Sequence, residues 1–166
     1  MTTTQRQNVP ASRRIRIERT FRASLEEVWE MWTTPAGIES WWGPEGFSVK
    51  VRTLDLRRGG LLRYAMIATA PETVAFMNKE GMPVTQEVKA VFDEVVPPRR
   101  LIFIHHTDFI PGVAPYDAAT TVELEATEQG VRLVLSLDPM HDETWTQRAV
   151  MGWESELGKL AKVLEH

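Results

Sequence analysis

A chain of 166 residues, 43% hydrophobic and 25% charged, has the composition of one ordinary globular domain. Its net charge of −4, with Lys and Arg scattered, excludes a basic field for nucleic acid. The absence of cysteine excludes disulfides, thiolate metal sites and a Cys nucleophile, and fits a reducing cytoplasm.

The first dozen residues, MTTTQRQNVPAS, have no apolar signal-peptide core and read as a disordered tail (1–12). Residues 13–163 read as a single domain, and Leu164-Glu165-His166 as the start of a purification tag. No apolar run reaches the length of a membrane span. From Arg14 to Phe21, Ile15, Ile17 and Arg19 share one side, the period of a strand. Arg13-Arg14-Ile15-Arg16 then reads as the solvent face of that strand rather than a phosphate site. Ser24-Leu25-Glu26-Glu27 is a capping box, in which the Ser hydroxyl and the Glu27 carboxylate satisfy orphan N–H groups. Val28, Trp29, Met31 and Trp32 supply the buried face of the helix it starts. Thr34-Pro35 ends that helix, because the residue before proline resists the helical region. A second short helix, Ala36 to Trp41, precedes Gly43-Pro44.

The two-residue period then takes over. Phe47, Val49 and Val51 alternate with Ser48, Lys50 and Arg52. In Asp55-Leu56-Arg57-Arg58-Gly59-Gly60 the glycines make a hairpin, with the Asp55 side chain expected to accept from turn N–H groups. Leu62, Tyr64 and Met66 alternate with Arg63 and Ala65. Ala70 to Thr85 is too long for a hairpin turn and holds Val74, Phe76, Met77 and Met82; it reads as a loop folded over the core as a lid. A long strand from Gln86 to Val96, stopped by Pro97-Pro98, pairs with Leu101 to Thr107. Thr120, Val122 and Leu124 share a face, Gly130 turns, and Val131, Leu133, Leu135 and Leu137 share the next. From Asp142 the period becomes 3.6, with Trp145, Ala149, Trp153, Leu157, Leu160 and Ala161 in one stripe. That helix, about 22 residues, spans roughly 33 Å.

The pattern predicts an α+β fold: a curved antiparallel sheet of about seven strands on one long helix, with two short helices after strand one. A helix about 10 Å wide is too narrow to cover the concave face. A pocket of a few hundred Å³ between sheet and helix is therefore expected, as at typical ligand sites.

Trp41-Trp42-Gly43-Pro44, Gly46-Phe47, Asp55 to Gly60, Pro97-Pro98-Arg99-Arg100-Leu101 and Gly152-Trp153 occur in an order that resembles a known family. It is that of bacterial proteins similar to the activator of the ninety-kilodalton heat-shock chaperone ATPase, within the START-like (SRPBCC, polyketide cyclase/dehydrase and lipid-transport) superfamily. The resemblance covers Arg14 to Leu164. It implies a helix-grip fold with an internal cavity but no single activity, since relatives bind lipids, hormones or polyketides, cyclise, dehydrate or assist a chaperone.

The expected ligand wall draws on Trp41, Trp42, Phe47, Tyr64, Met66, Phe103, His105, Trp145, Met151 and Trp153. Trp41 and Trp42 point about 100° apart on a helical turn, so one ring can gate the pocket while the other staples the loop; the alternative is that both plug the core. Gly152, costly by about 1 kcal/mol in a helix, implies close approach of a strand or ligand. His105 and His106 face opposite ways on a strand and cannot chelate one metal. His106 and Asp108, with His141 from the helix start, fall short of a converging zinc set, so neither metal nor cofactor is expected. A strand-end His105 or His106 is the candidate for a general base. The leading reading is a cytoplasmic binder of a small apolar or amphipathic molecule, as a monomer or weak homodimer. The alternatives are a hydrolase or cyclase with a histidine base, and a chaperone-assisting interaction protein.

Overall fold

The computed structural model describes residues 13–107 and 112–165. The predicted tail, Asp108 and His166 lie outside them. In chain order the elements are β1 (Ile15–Phe21), α1 (Leu25–Thr33), α2 (Pro35–Trp41), β2 (Phe47–Leu54), β3 (Leu61–Ala68) and α3 (Pro71–Lys79). There follow β4 (Thr85–Val96), β5 (Arg100–Thr107), β6 (Tyr116–Thr127), β7 (Gly130–Leu137) and α4 (Glu143–Leu164). The seven strands form one antiparallel sheet in the order β1-β7-β6-β5-β4-β3-β2. The fold class is the one the periodicities predict.

Local chemistry explains the element ends. The capping box at Ser24 closes in both directions, with Glu27 N donating to Ser24 Oγ and Ser24 N to the Glu27 carboxylate. Thr34 ends α1 and caps α2, its hydroxyl accepting from Gly37 N at 3.0 Å. Asp142 caps α4 by accepting from Trp145 N at 2.8 Å. At the β2–β3 hairpin the Asp55 backbone carbonyl, not its side chain, accepts from Arg57 N. The carboxylate instead pairs with the Arg57 guanidinium.

The core lies between the inner sheet face and the helices. Ile17, Leu62, Phe92, Leu101, Phe103, Val122, Leu133 and Leu135 meet Val28, Trp32, Ile38, Leu157 and Leu160 there. Leu164, read from the sequence as tag-derived, is 4% exposed and ends the buried stripe of α4.

The Ala70–Thr85 stretch is not a loop. Pro71 begins a nine-residue helix, α3, in which Met77 alone is buried. Val74 is half-buried, while Phe76 (57% exposed) and Met82 (40%) point to solvent. The residues just before α3 support the Trp41–Phe47 segment: Thr69 N and Ala70 N both donate to Gly46 O. Gly46 has φ +92°, and a Cβ there would stand 2.1 Å from Thr73 Oγ1. Only glycine fits that approach.

Candidate functional site

The Trp41-Trp42 pair sits at the end of α2, and both rings are buried, at 0% and 2% exposure. Neither stands at a mouth. Trp41 donates its indole N–H to Met31 O at 2.8 Å and packs edge-on to Trp32, with centroids 4.6 Å apart. Trp42 meets Trp32, Tyr64, Phe103 and Trp153, with centroid distances between 5.2 and 6.0 Å. This aromatic block occupies much of the space where a pocket is expected. The indole N–H groups of Trp32 and Trp42 are buried there with no hydrogen-bond partner, which costs free energy unless something else pairs with them.

Polar groups lie beside the block. Tyr64 Oη is 3.0 Å from His105 Nε2. Burial, with a smaller contribution from the Glu156 charge, keeps the Tyr64 phenol protonated far above its ordinary range. The hydroxyl is therefore the donor, and Nε2 the acceptor. Desolvation lowers His105 to about 4, so the ring is neutral at physiological pH.

Glu156 and Lys159 were not singled out by the sequence reading. The buried Glu156 carboxylate accepts from Gly43 N at 2.6 Å. Burial raises it to about 7, opposed by that hydrogen bond and by the Lys159 charge. Lys159 Nζ donates to the carbonyls of Gly43 (2.9 Å), Trp42 (3.4 Å) and Phe47 (3.5 Å). Glu45 N donates to Ser155 Oγ at 3.2 Å. One turn of α4 therefore fastens the whole Trp42–Phe47 loop. The signal in the sequence was a glutamate inside an apolar stripe, three residues past Trp153 and one before Leu157.

The two halves of α4 differ. Towards its C-terminus Leu157, Leu160 and Leu164 are buried, but Trp145, Ala149, Val150 and Trp153 remain partly exposed. Gly152, Glu156 and Lys159, at i, i+4 and i+7, share one flank. A Cβ on Gly152 would meet nothing within 4 Å. The close approach expected at this glycine is absent. Opposite, the inward-facing Phe47, Met66 and His105 are also only partly covered.

The other predicted residues disperse. Met151 is 68% exposed on the far side of α4. Trp145 stacks near His141 (5.8 Å) and under the Arg148 guanidinium (5.1 Å). His141 Nδ1 pairs with Tyr116 Oη at 3.0 Å, and its Nε2 lies 3.4 Å from Asp142. His106 Nδ1 pairs with Asp117 at 2.9 Å. Among the described residues no three His, Asp or Glu side chains converge as a metal site.

A groove of about 590 Å³ lies on the opposite, outer face, lined by Arg16, Glu94, Arg100, Glu123, Glu125 and Arg132. Three of the arginines that line it are paired in place: Arg16 with Glu18, Arg100 with Glu94 and Glu123, and Arg132 with Glu18 and Glu125; Arg99 lines it too. It is a lattice of surface ion pairs, not the expected apolar pocket.

A seven-stranded antiparallel sheet holding a long C-terminal helix, with short helices after β1, defines a helix-grip-like protein. The chain belongs to the family described as "Activator of Hsp90 ATPase homolog 1-like protein", whose model matches residues 22–165. It is similar to a crystal structure from Chromobacterium violaceum (25% identity, TM-score 0.75, covering 93% of this chain and 99% of that one). It is also similar to the AHSA1 protein of Silicibacter pomeroyi (26%, 0.70, 92% and 99%). A Nitrosomonas europaea structure (21%, 0.70, 96% and 98%) shares the fold. No curated protein matches significantly. No helix among the described residues is long and apolar enough to cross a membrane.

Proposed function

We propose that the chain is a cytoplasmic binder of a small apolar or amphipathic molecule, held between the inner sheet face and the middle of α4. The observation that carries this reading is the Tyr64–His105 pair, set beside buried Glu156 and two unpaired indole N–H groups under a partly open roof. A core serving only stability gains little from such groups, because each buried polar atom must be paired or cost free energy. Convergent polar groups with displaced pKa values beside an aromatic wall are what a small-molecule site uses to orient its ligand. Phe47, Met66 and Trp153 supply apolar wall. A bound molecule would cover their exposed parts.

A histidine-base hydrolase or cyclase on the same cleft has less support. A ring held at about 4 is a weak proton acceptor at neutral pH, and His106 is engaged by Asp117. A chaperone-assisting role rests on the family description alone.

The test is native mass spectrometry of protein purified from its own host, with tryptophan fluorescence during titration by neutral polycyclic aromatics. A co-purifying small molecule, or saturable quenching that Trp153→Ala weakens, is the expected result. Ligand-free mass together with unchanged fluorescence across the panel would overturn the reading.

A further inference from the structure

The two ring nitrogens of His105 stand in different surroundings. Nε2 accepts from Tyr64 Oη at 3.0 Å, and the phenol has only that proton to give. The neutral ring therefore carries its own proton on Nδ1. Among the described residues no hydrogen bond reaches Nδ1. The buried side-chain polar atoms without a partner are Trp32 Nε1, Trp42 Nε1 and the Nε atoms of Arg14 and Arg100. His105 Nδ1 is not one of them, so it reaches the open surface of this half-buried side chain. Its neighbours on the same sheet face are open as well. Ala118, its partner on β6, and Val88, the partner of Tyr64 on β4, are both half-buried. At this point the cleft floor shows an unengaged N–H donor set among apolar side chains. Gln86, further along β4, carries both a donor and an acceptor and favours neither. Glu156 is turned to the Gly43 amide.

We propose that the molecule bound in this cleft sets a hydrogen-bond acceptor, a carbonyl-type oxygen, against His105 Nδ1–H, and that Tyr64 holds the ring in the donating tautomer. This rests on the binding reading above. An apolar group laid over Nδ1 would bury the donor unpaired, and an ammonium would set proton against proton. An acceptor keeps the donor satisfied as water leaves. A ring with its proton on Nε2 would present an acceptor to the cleft instead, so the phenol decides which polarity the cleft takes. The surroundings favour the bond. Phe103 stands edge-on to the histidine ring at 5.4 Å, and Trp42 edge-on to Tyr64 at 5.2 Å. An apolar wall of this kind lowers the local dielectric and strengthens a hydrogen bond made beside it.

Two probes of one shape test this: acetonaphthone, with a ketone oxygen, and isopropenylnaphthalene, with a methylene group in its place. Each is titrated calorimetrically into the full chain while nitrogen–proton NMR follows the His105 ring. The ketone is expected to move the Nδ1–H proton downfield and protect it from exchange with water, in step with binding. The hydrocarbon should do neither. The double variant Tyr64→Phe/His105→Phe removes the donor together with its partner, so that neither is left unpaired. In it the affinity for the ketone relative to the hydrocarbon should fall by about threefold to tenfold. Ketone binding that leaves the Nδ1–H resonance where it was, or a ring with its proton on Nε2, overturns the proposal and leaves the site standing. If neither probe binds, the site reading fails and the proposal with it. The wild-type spectra decide even if the variant does not fold.

Discussion

Tyr64 and His105 are bonded across a strand that supplies neither of them. Tyr64 Oη on β3 reaches His105 Nε2 on β5 at 3.0 Å, with β4 lying between. The backbone partners of the two residues on β4 are Val88 and Ala90, side chains short enough to leave the path above them clear. The bond fixes the histidine tautomer, with the proton on Nδ1 and Nε2 accepting. Tyr64→Phe removes the donor and leaves a buried acceptor unpaired, at a cost of roughly 1–3 kcal/mol. A urea melt measures that loss, and nitrogen chemical shifts of the His105 ring should report the Nδ1–H form in the parent protein. The opposite tautomer would contradict the assignment.

Glu156 and His105 bend stability with pH in opposite directions. The folded pKa of Glu156 is raised from 4.5 to about 7, so its stabilising contribution is complete below 4.5 and is lost as pH rises through about 7. The folded pKa of His105 is lowered from 6.5 to about 4, so its contribution is present above 6.5 and lost as pH falls towards about 4. Between 4.5 and 6.5 the two slopes oppose each other. Glu156→Gln should therefore leave stability rising with pH through that window, and should be more stable than the parent at about pH 8. Paired melts at about pH 5 and about pH 8 check the sign. An unchanged pH profile in the variant would mean that Glu156 is solvated.

Truncating the two adjacent tryptophans should cost similar amounts. Both rings are fully enclosed, so Trp41→Ala and Trp42→Ala should each lose about 3–5 kcal/mol. The milder phenylalanine substitutions separate them. Trp41→Phe also forfeits the bond to Met31 O, whereas Trp42→Phe removes an N–H with no partner in the chain. Trp41→Phe should be the worse by about 1 kcal/mol. Equal losses would show that a buried water or ligand satisfies Trp42.

Two glycines should respond with opposite signs. Gly152→Ala adds a methyl group where nothing stands within 4 Å, so helix propensity alone decides, and a gain of up to about 1 kcal/mol is expected. Gly46→Ala would force a side chain into positive φ and against Thr73, and should destabilise. Thermal melts of the two variants give the signs. A loss at Gly152 would mean that something outside the described chain packs there.

Much of the fold was legible because its signals are local. The capping box at Ser24, the proline after Thr34, the alternation through β6 and β7 and the stripe of α4 each act within a few residues, where geometry follows from spacing. Helix α3 escaped for a local reason too. Ala70 at its N-cap offers no side-chain acceptor, and Met77 is its sole buried residue, so neither cap nor stripe announced it. The candidate site is different in kind. Glu156 meets Gly43 across 113 positions, and Tyr64 meets His105 across 41. No short-range pattern encodes such pairings; they exist only once the sheet has set β3 and β5 on either side of β4 and α4 has docked on the loop. Sequence alone determined that two tryptophans would lie at the end of a short helix against a Gly-Pro turn. Tertiary packing decided that both would be buried, because Trp32, Phe103 and Trp153 converge on them from three other elements.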